Sequence, residues 1–253
     1  MPPRAATPVG IVLLDKPAGP SSFALVSDLR RRTGARTGHA GTLDPFATGL
    51  LVLLSGVATR LAPCFVGLYK RYLTEVDLCA TTSTGDPEGE ALERHEPLRG
   101  AQLEARLDEL RGEVELPIPA ASAVKIGGER AYRLARMGVE VEMQVRRSTV
   151  HELELLGTDG DQATLALHVG SGTYVRSIAA ALGGHCVSLR RTAVGPFGVG
   201  EADPERLISV SEALGRLDEA ALERVPEAIR SRVLEVEAEQ PRDLFAGAKE
   251  PVR

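Results

Sequence analysis

The sequence predicts an α+β chain whose strands pair largely as hairpins. Short apolar or alternating runs at residues 9–14, 50–54, 71–79, 145–156, 163–169 and 186–194 have strand character. Two of them, 145–156 and 163–169, are joined through Gly157-Thr158-Asp159-Gly160-Asp161, a turn composition that makes them partners. Helical spacing recurs between the runs, but never in the strand–helix–strand rhythm that builds a parallel sheet.

Taken in order, residues 1–8 form a flexible Pro/Ala-rich lead. Residues 9–14 are a buried strand, stopped by Asp15-Lys16-Pro17-Ala18-Gly19-Pro20. Ser21 or Ser22 caps a helix to about Arg32, with Phe23, Val26, Leu29 and Arg30 at helical spacing. A glycine-rich loop precedes the 50–54 strand, and a short helix covers 57–65. Residues 71–79 alternate as Tyr72, Thr74, Val76 and Leu78, a strand with one face inward. Residues 81–90 are a polar connection, and 98–110 a helix. Residues 117–123 lead into Val124-Lys125-Ile126-Gly127-Gly128 and a short helix near 130–137. Gly170-Ser171-Gly172-Thr173 opens a helix whose Tyr174, Ile178, Ala181 and Leu182 form a packed stripe. After the 186–194 strand come helices at 209–217 and 219–225, then about 25 weakly patterned residues.

With 253 residues the chain can bury one large core or two smaller ones. Its formal charge of -5 excludes a globally basic nucleic-acid binder, yet residues 1–60 and 125–147 are locally positive and 201–253 acidic. Three scattered cysteines fit a reducing, intracellular setting with buried thiols. No segment approaches the length of a membrane span or signal peptide, so neither secretion nor membrane spanning is expected. The five histidines lack metal-ligand spacing, and neither a nucleophile elbow nor a phosphate loop is present.

Chemistry concentrates in Gly38-His39-Ala40-Gly41-Thr42-Leu43-Asp44-Pro45-Phe46-Ala47-Thr48-Gly49-Leu50. On local chemistry this is either a site loop braced by the apolar strand that follows, or a turn in which Asp44 merely organises the backbone before Pro45. Three further segments carry polar chemistry: Leu14-Asp15-Lys16-Pro17, Lys70-Arg71-Tyr72 and Gly172-Thr173-Tyr174-Val175-Arg176. An Asp beside a Tyr face and an Arg can hold a planar ring and act next to it. Spacing does not show that these segments converge.

Together with Gly10-Ile11-Val12-Leu13 and Ser122-Ala123-Val124-Lys125, these segments resemble, in order, the bacterial TruB family of tRNA pseudouridine-55 synthases, from about residue 9 to 225. The resemblance implies a central mixed, largely antiparallel sheet with a catalytic cleft, flanking helices and an RNA-gripping insertion. It implies isomerisation of a tRNA T-loop uridine to pseudouridine, with neither cofactor nor metal. By the same match Asp44 is the essential catalytic aspartate, acting on C1′ as nucleophile or on the C2′ proton as base. Tyr72 stacks on the uracil and assists loss of the C5 proton. Arg176 pairs with Asp44 and keeps it ionised. Tyr174 walls the pocket, and Lys16 supports the loop or touches the RNA backbone. His39 packs among rearranged bases and stabilises the flipped-out uridine. Lys125, Arg130, Arg146 and Arg147, with Arg133 and Arg136, contact phosphates or face water.

The expected organisation is a flexible lead at 1–8, a catalytic domain at 9–228 containing the insertion at 124–152, and a tail at 229–253 that resembles the start of a truncated RNA-binding domain. The implied protein is a cytoplasmic monomer that acts on the tRNA T-stem-loop with no obligate protein partner and no membrane. A tRNA-folding chaperone without catalysis, and a pseudouridine synthase acting on another RNA, share most of these residues.

Overall fold

The structure is a computed structural model and describes residues 7–122, 124–126, 129–130 and 143–240. The chain forms two compact units: one from Met1–Lys70 and Arg190–Arg253, the other from Arg71–Leu189.

In the first unit, strand Thr48–Ser55 lies between two neighbours. Gly10–Lys16 runs antiparallel along it, with Gly10 opposite Ser55 and Lys16 opposite Gly49. On its other side Thr37–His39 is antiparallel, with His39 opposite Leu53, while Arg190 and Arg191 run parallel to Thr48 and Gly49. The apolar run at 50–54 is continuous because both faces of this strand are covered. Leu50, Val52 and Leu54 pack with Ile11, Leu13, Phe65, Phe197 and Val210, whereas Leu51 and Leu53 pack with Val12, Val26 and Leu29. Each such leucine contributes about 1.5–3 kcal/mol.

Helix Ser22–Thr33 is capped by Ser21, whose hydroxyl accepts from the Ala24 amide, and it ends at Gly34 in the left-handed conformation. Its buried residues are Ser22, Val26, Leu29 and Thr33. The inward stripe therefore starts on Ser22, and Phe23, expected on it, is 72 % exposed. The helix expected at 57–65 is a 3-10 turn, Gly56–Leu61, followed by helix Ala62–Val66, which begins around Pro63. Helices Val210–Gly215 and Glu219–Leu222 follow the strands. Glu227–Ala238, within the weakly patterned C-terminal stretch, is helical too and sends Val233 into the core.

In the second unit, strand Val145–Asp159 pairs antiparallel with Gln162–Val169, as the turn composition predicts, and with Gly112–Pro117, which the sequence reading left unassigned. In the strand order Lys70–Asp77 follows Gln162–Val169. Its Thr74 and Val76 are buried and its Tyr72 is half-buried. The polar connection contains a small hairpin, Ala80–Thr82 with Ala91–Arg94. Helix Gly100–Glu109 buries Leu103 and Leu107, and helix Val175–Ala181 buries Ile178 as expected. Backbones of Lys125–Ile126 and Glu129–Arg130 pair antiparallel. The helix expected near 130–137, with Arg133 and Arg136, lies outside the described residues, as do 1–6 of the lead and 241–253 of the tail. Cys64, Cys79 and Cys186 are buried.

Candidate active site

Asp44 lies on the loop that joins the adjacent strands Thr37–His39 and Thr48–Ser55. Gly38 and His39, expected in the loop, belong to the first of these strands because they pair with Leu54 and Leu53. Asp44 itself is half-buried. Its carbonyl accepts from the Ala47 amide at 3.2 Å, closing a turn around Pro45.

Three buried polar side chains grip this loop on either side of Asp44. Lys16, 0 % exposed, donates to the carbonyls of Ala47 at 2.6 Å, Pro45 at 3.0 Å and Pro17 at 2.9 Å. Ser22 donates to the Leu43 carbonyl at 2.9 Å and accepts from the Leu43 amide at 2.8 Å. Arg191, 1 % exposed, donates to Leu50 at 2.7 Å, Gly41 at 3.1 Å and Thr42 at 3.4 Å. Lys16 thus holds the backbone of this loop. The sequence marks Ser22 only as a candidate helix cap and Arg191 only as part of a strand. The signal for Arg191 was the charged doublet Arg190-Arg191 inside an otherwise strand-like run.

Gly49 permits this arrangement. Its φ is +101°, and a Cβ there would lie 2.2 Å from the Arg191 carbonyl oxygen, so only glycine lets the two backbones approach. His39 is half-buried, and burial followed by the Arg191 charge lowers its pKa below the ordinary 6.5. The imidazole is therefore neutral near pH 7. Its Nδ1 is buried without a hydrogen-bond partner.

The second unit holds the remaining candidates. Tyr174 occupies the position before helix Val175–Ala181, and Arg176 lies in that helix's first turn. Arg176 is 3 % exposed, so it is no surface arginine. It donates to the carbonyls of Thr84 at 2.7 Å and Ala121 at 2.9 Å and pairs with Asp86 at 3.3 Å. Asp86 also accepts from the Thr84 hydroxyl and the Glu88 amide, so its carboxylate is held from several sides. Asp86 lies in the polar connection at residues 81–90, where no local pattern distinguishes it.

Among the basic candidates, Arg146 lies over Gly172, where a Cβ would meet its guanidinium at 2.6 Å. Arg147 pairs with Glu113 on the neighbouring strand. Both belong to the sheet strand Val145–Asp159. The backbones of Lys125 and Arg130 face each other in register, but their side chains lie outside the described part. Among the described residues no His/Cys/Asp/Glu group has the arrangement of a metal site, and no helix is long and apolar enough to cross a membrane.

Comparison with known proteins gives the chain its family. The model of the N-terminal domain of TruB family pseudouridylate synthases matches residues 30–175, which include His39, Asp44 and Tyr72. A tRNA pseudouridine synthase B from Leifsonia xyli subsp. xyli is 43 % identical over 228 residues, covering 84 % of this chain and 76 % of the relative. One from Mycobacterium sp. (strain KMS) is 41 % identical over 248 residues, covering 92 % and 82 %. The chain belongs to the TruB family of pseudouridylate synthases.

Solved structures agree on the fold. The chain is similar to one in a Cbf5-Nop10-Gar1 complex, with TM-score 0.57 and 27 % identity, covering 78 % of this chain and 55 % of that one. It is similar to another in an archaeal box H/ACA sRNP Nop10-Cbf5 complex, with TM-score 0.55 and 25 % identity, covering 95 % and 64 %. It therefore spans less than two thirds of either solved chain.

Proposed function

We propose that this chain converts the T-loop uridine at position 55 of tRNA to pseudouridine. The observation that carries the reading is the grip of buried donors on the Asp44 loop, within a chain of pseudouridylate synthase family. A reaction that exchanges one glycosidic bond for another at a single carbon needs its carboxylate held to a fraction of an ångström.

In this reading the uridine is flipped out of the T-loop, at the cost of unstacking it. Neutral His39 packs among the bases left behind. Asp44 either attacks C1′ and is later displaced from it by C5, or takes the C2′ proton and returns it as C5 bonds to C1′; in both routes the C1′–N1 bond breaks and the uracil turns before the C1′–C5 bond forms. The proton leaves C5 and N1 regains one, so the exchange is internal to the nucleoside and consumes no second substrate. Tyr72 stacks on the ring and assists at C5, and Tyr174 walls the pocket. Arg176, itself anchored by Asp86, is the partner proposed for Asp44. Lys125, Arg130, Arg146 and Arg147 meet phosphates of the stem-loop. The protein works as a monomer in the cytoplasm, without cofactor, metal or obligate protein partner.

Tritium release from tRNA carrying 5-³H-uridine tests this directly, beside the Asp44→Asn variant. Wild-type release, abolished in Asp44→Asn while tRNA binding survives, is expected. Folded wild-type protein that binds intact tRNA and releases no tritium would leave the chaperone reading standing instead. Mapping of product sites across total RNA separates position 55 from a site in another RNA.

A further inference from the structure

We propose that Arg191 is a positioning residue for catalysis, setting the Asp44 loop through the carbonyls of Gly41 and Thr42, with Ser22 as its counterpart at Leu43. The inference rests on the functional reading above and assigns it a residue outside the substrate pocket.

The argument begins with a cost. A guanidinium at 1 % exposure has lost its water, and an apolar side chain of similar size would avoid that penalty. Buried cations normally recover the loss from a carboxylate, but none lies within ion-pair distance of Arg191 among the described residues. Its donors go to backbone carbonyls alone: Leu50 on the strand, Gly41 and Thr42 on the loop. The planar fork of the side chain spans strand and loop at once, a task that a lysine's point charge performs less well.

Position in the chain gives those bonds their direction. Gly41 and Thr42 come three and two residues before Asp44, and Leu43 directly before it. Pro45 and Ala47, just after it, are held by Lys16. Ser22 fixes both polar groups of Leu43. The backbone on each side of Asp44 is thus tied to buried side chains from three other segments, and Arg191 holds the leading edge. Gly41, at φ +105°, is a residue whose backbone would otherwise move freely, so a tether at its carbonyl has most effect there.

The test is a split between chemistry and binding. Single-turnover tritium release and filter-binding Kd for tRNA are measured on wild type, Arg191→Lys, Arg191→Met and Ser22→Ala, with the folded fraction read by circular dichroism. Arg191→Lys, which keeps the charge but not the fork, is expected to slow the chemical step about 10- to 100-fold. Its Kd should stay within about threefold of wild type, and Ser22→Ala should slow the same step to a smaller extent. Combining the two substitutions should cost less than the product of their separate effects, because both act on one loop. Should Arg191→Met fail to fold, Arg191→Lys still decides. Wild-type turnover in folded Arg191→Lys, or a loss that vanishes on correction for folded fraction, overturns the proposal while the pseudouridine reading stands. Absence of turnover in wild type overturns both.

Discussion

Arg176 and Asp86 meet at 3.3 Å with only 3 % and 5 % of their side chains exposed. At that depth the pair is worth little compared with an apolar replacement, but removing the carboxylate takes away compensation that a buried guanidinium relies on. Asp86→Ala should therefore cost about 3–5 kcal/mol of folding stability. Urea denaturation measures this, and a loss under about 1 kcal/mol would mean that Arg176 finds another acceptor. Because the guanidinium keeps its bonds to Thr84 and Ala121, a folded Asp86→Asn protein should retain the helix but lose turnover.

Lys16 poses a related test on the other unit. Its ammonium is wholly buried on three carbonyl oxygens, two of them just after Asp44. Lys16→Met fills the space yet removes the ammonium donor from the Pro17 and Ala47 oxygens, while Pro45 keeps the Gly19 amide, at about 1–3 kcal/mol. Tritium release should fall more steeply than stability does. Unchanged turnover would show that Ser22 and Arg191 suffice to hold the loop.

Lys70 makes stability depend on pH. Its amine is buried on the carbonyls of Val66 and Leu68, and burial, then the charges of Arg191 and Arg224, bring its pKa from 10.5 to about 7. Between these values the unfolded chain holds a proton that the folded chain has shed, so stability rises with pH across that window. Below about 7 both states are protonated and the penalty is complete. The slope is at most about 1.4 kcal/mol per pH unit. Lys70→Met removes it, so the variant's advantage over wild type in chemical denaturation should shrink from pH 7.5 to about 9.5. A pH-independent difference between the two proteins rules the mechanism out.

Two glycines of the same motif should behave oppositely. Gly49→Ala drives a Cβ to 2.2 Å from the Arg191 carbonyl at φ +101°, so backbone must move. A loss of at least about 2 kcal/mol is expected in thermal unfolding. Gly38→Ala meets only a Thr59 methyl at 3.7 Å, an ordinary contact, and should stay within about 1 kcal/mol of wild type.

Where the reading of elements failed, the cause lies in how little of each element is buried. Helix Glu227–Ala238 fully buries only Val233, and Ile229 at the same helical spacing is 37 % exposed, so its apolar stripe is weak. Strand Gly112–Pro117 buries only Leu116 among glutamates, and its pairing with Val145–Asp159 supplies what the side-chain pattern does not show. At the start of helix Ser22–Thr33 polarity misled in the other direction. Phe23 had the hydrophobic spacing, yet the inward place belongs to Ser22, whose hydroxyl answers both polar groups of Leu43.

By itself the sequence determined the strands that bury a face, the loop carrying His39 and Asp44, and, through its ordered motifs, the family. These are written in local patterns: apolar period, turn composition and short runs of fixed residues. Only the tertiary structure decided what holds that loop still. Arg191 is remote in the chain from Lys16 and Ser22, and all three act on backbone carbonyls or amides, which no sequence pattern displays. The same is true of Asp86 beneath Arg176. Burial turns an ordinary lysine, serine or arginine into a fixed donor, and burial is settled by what packs around the residue.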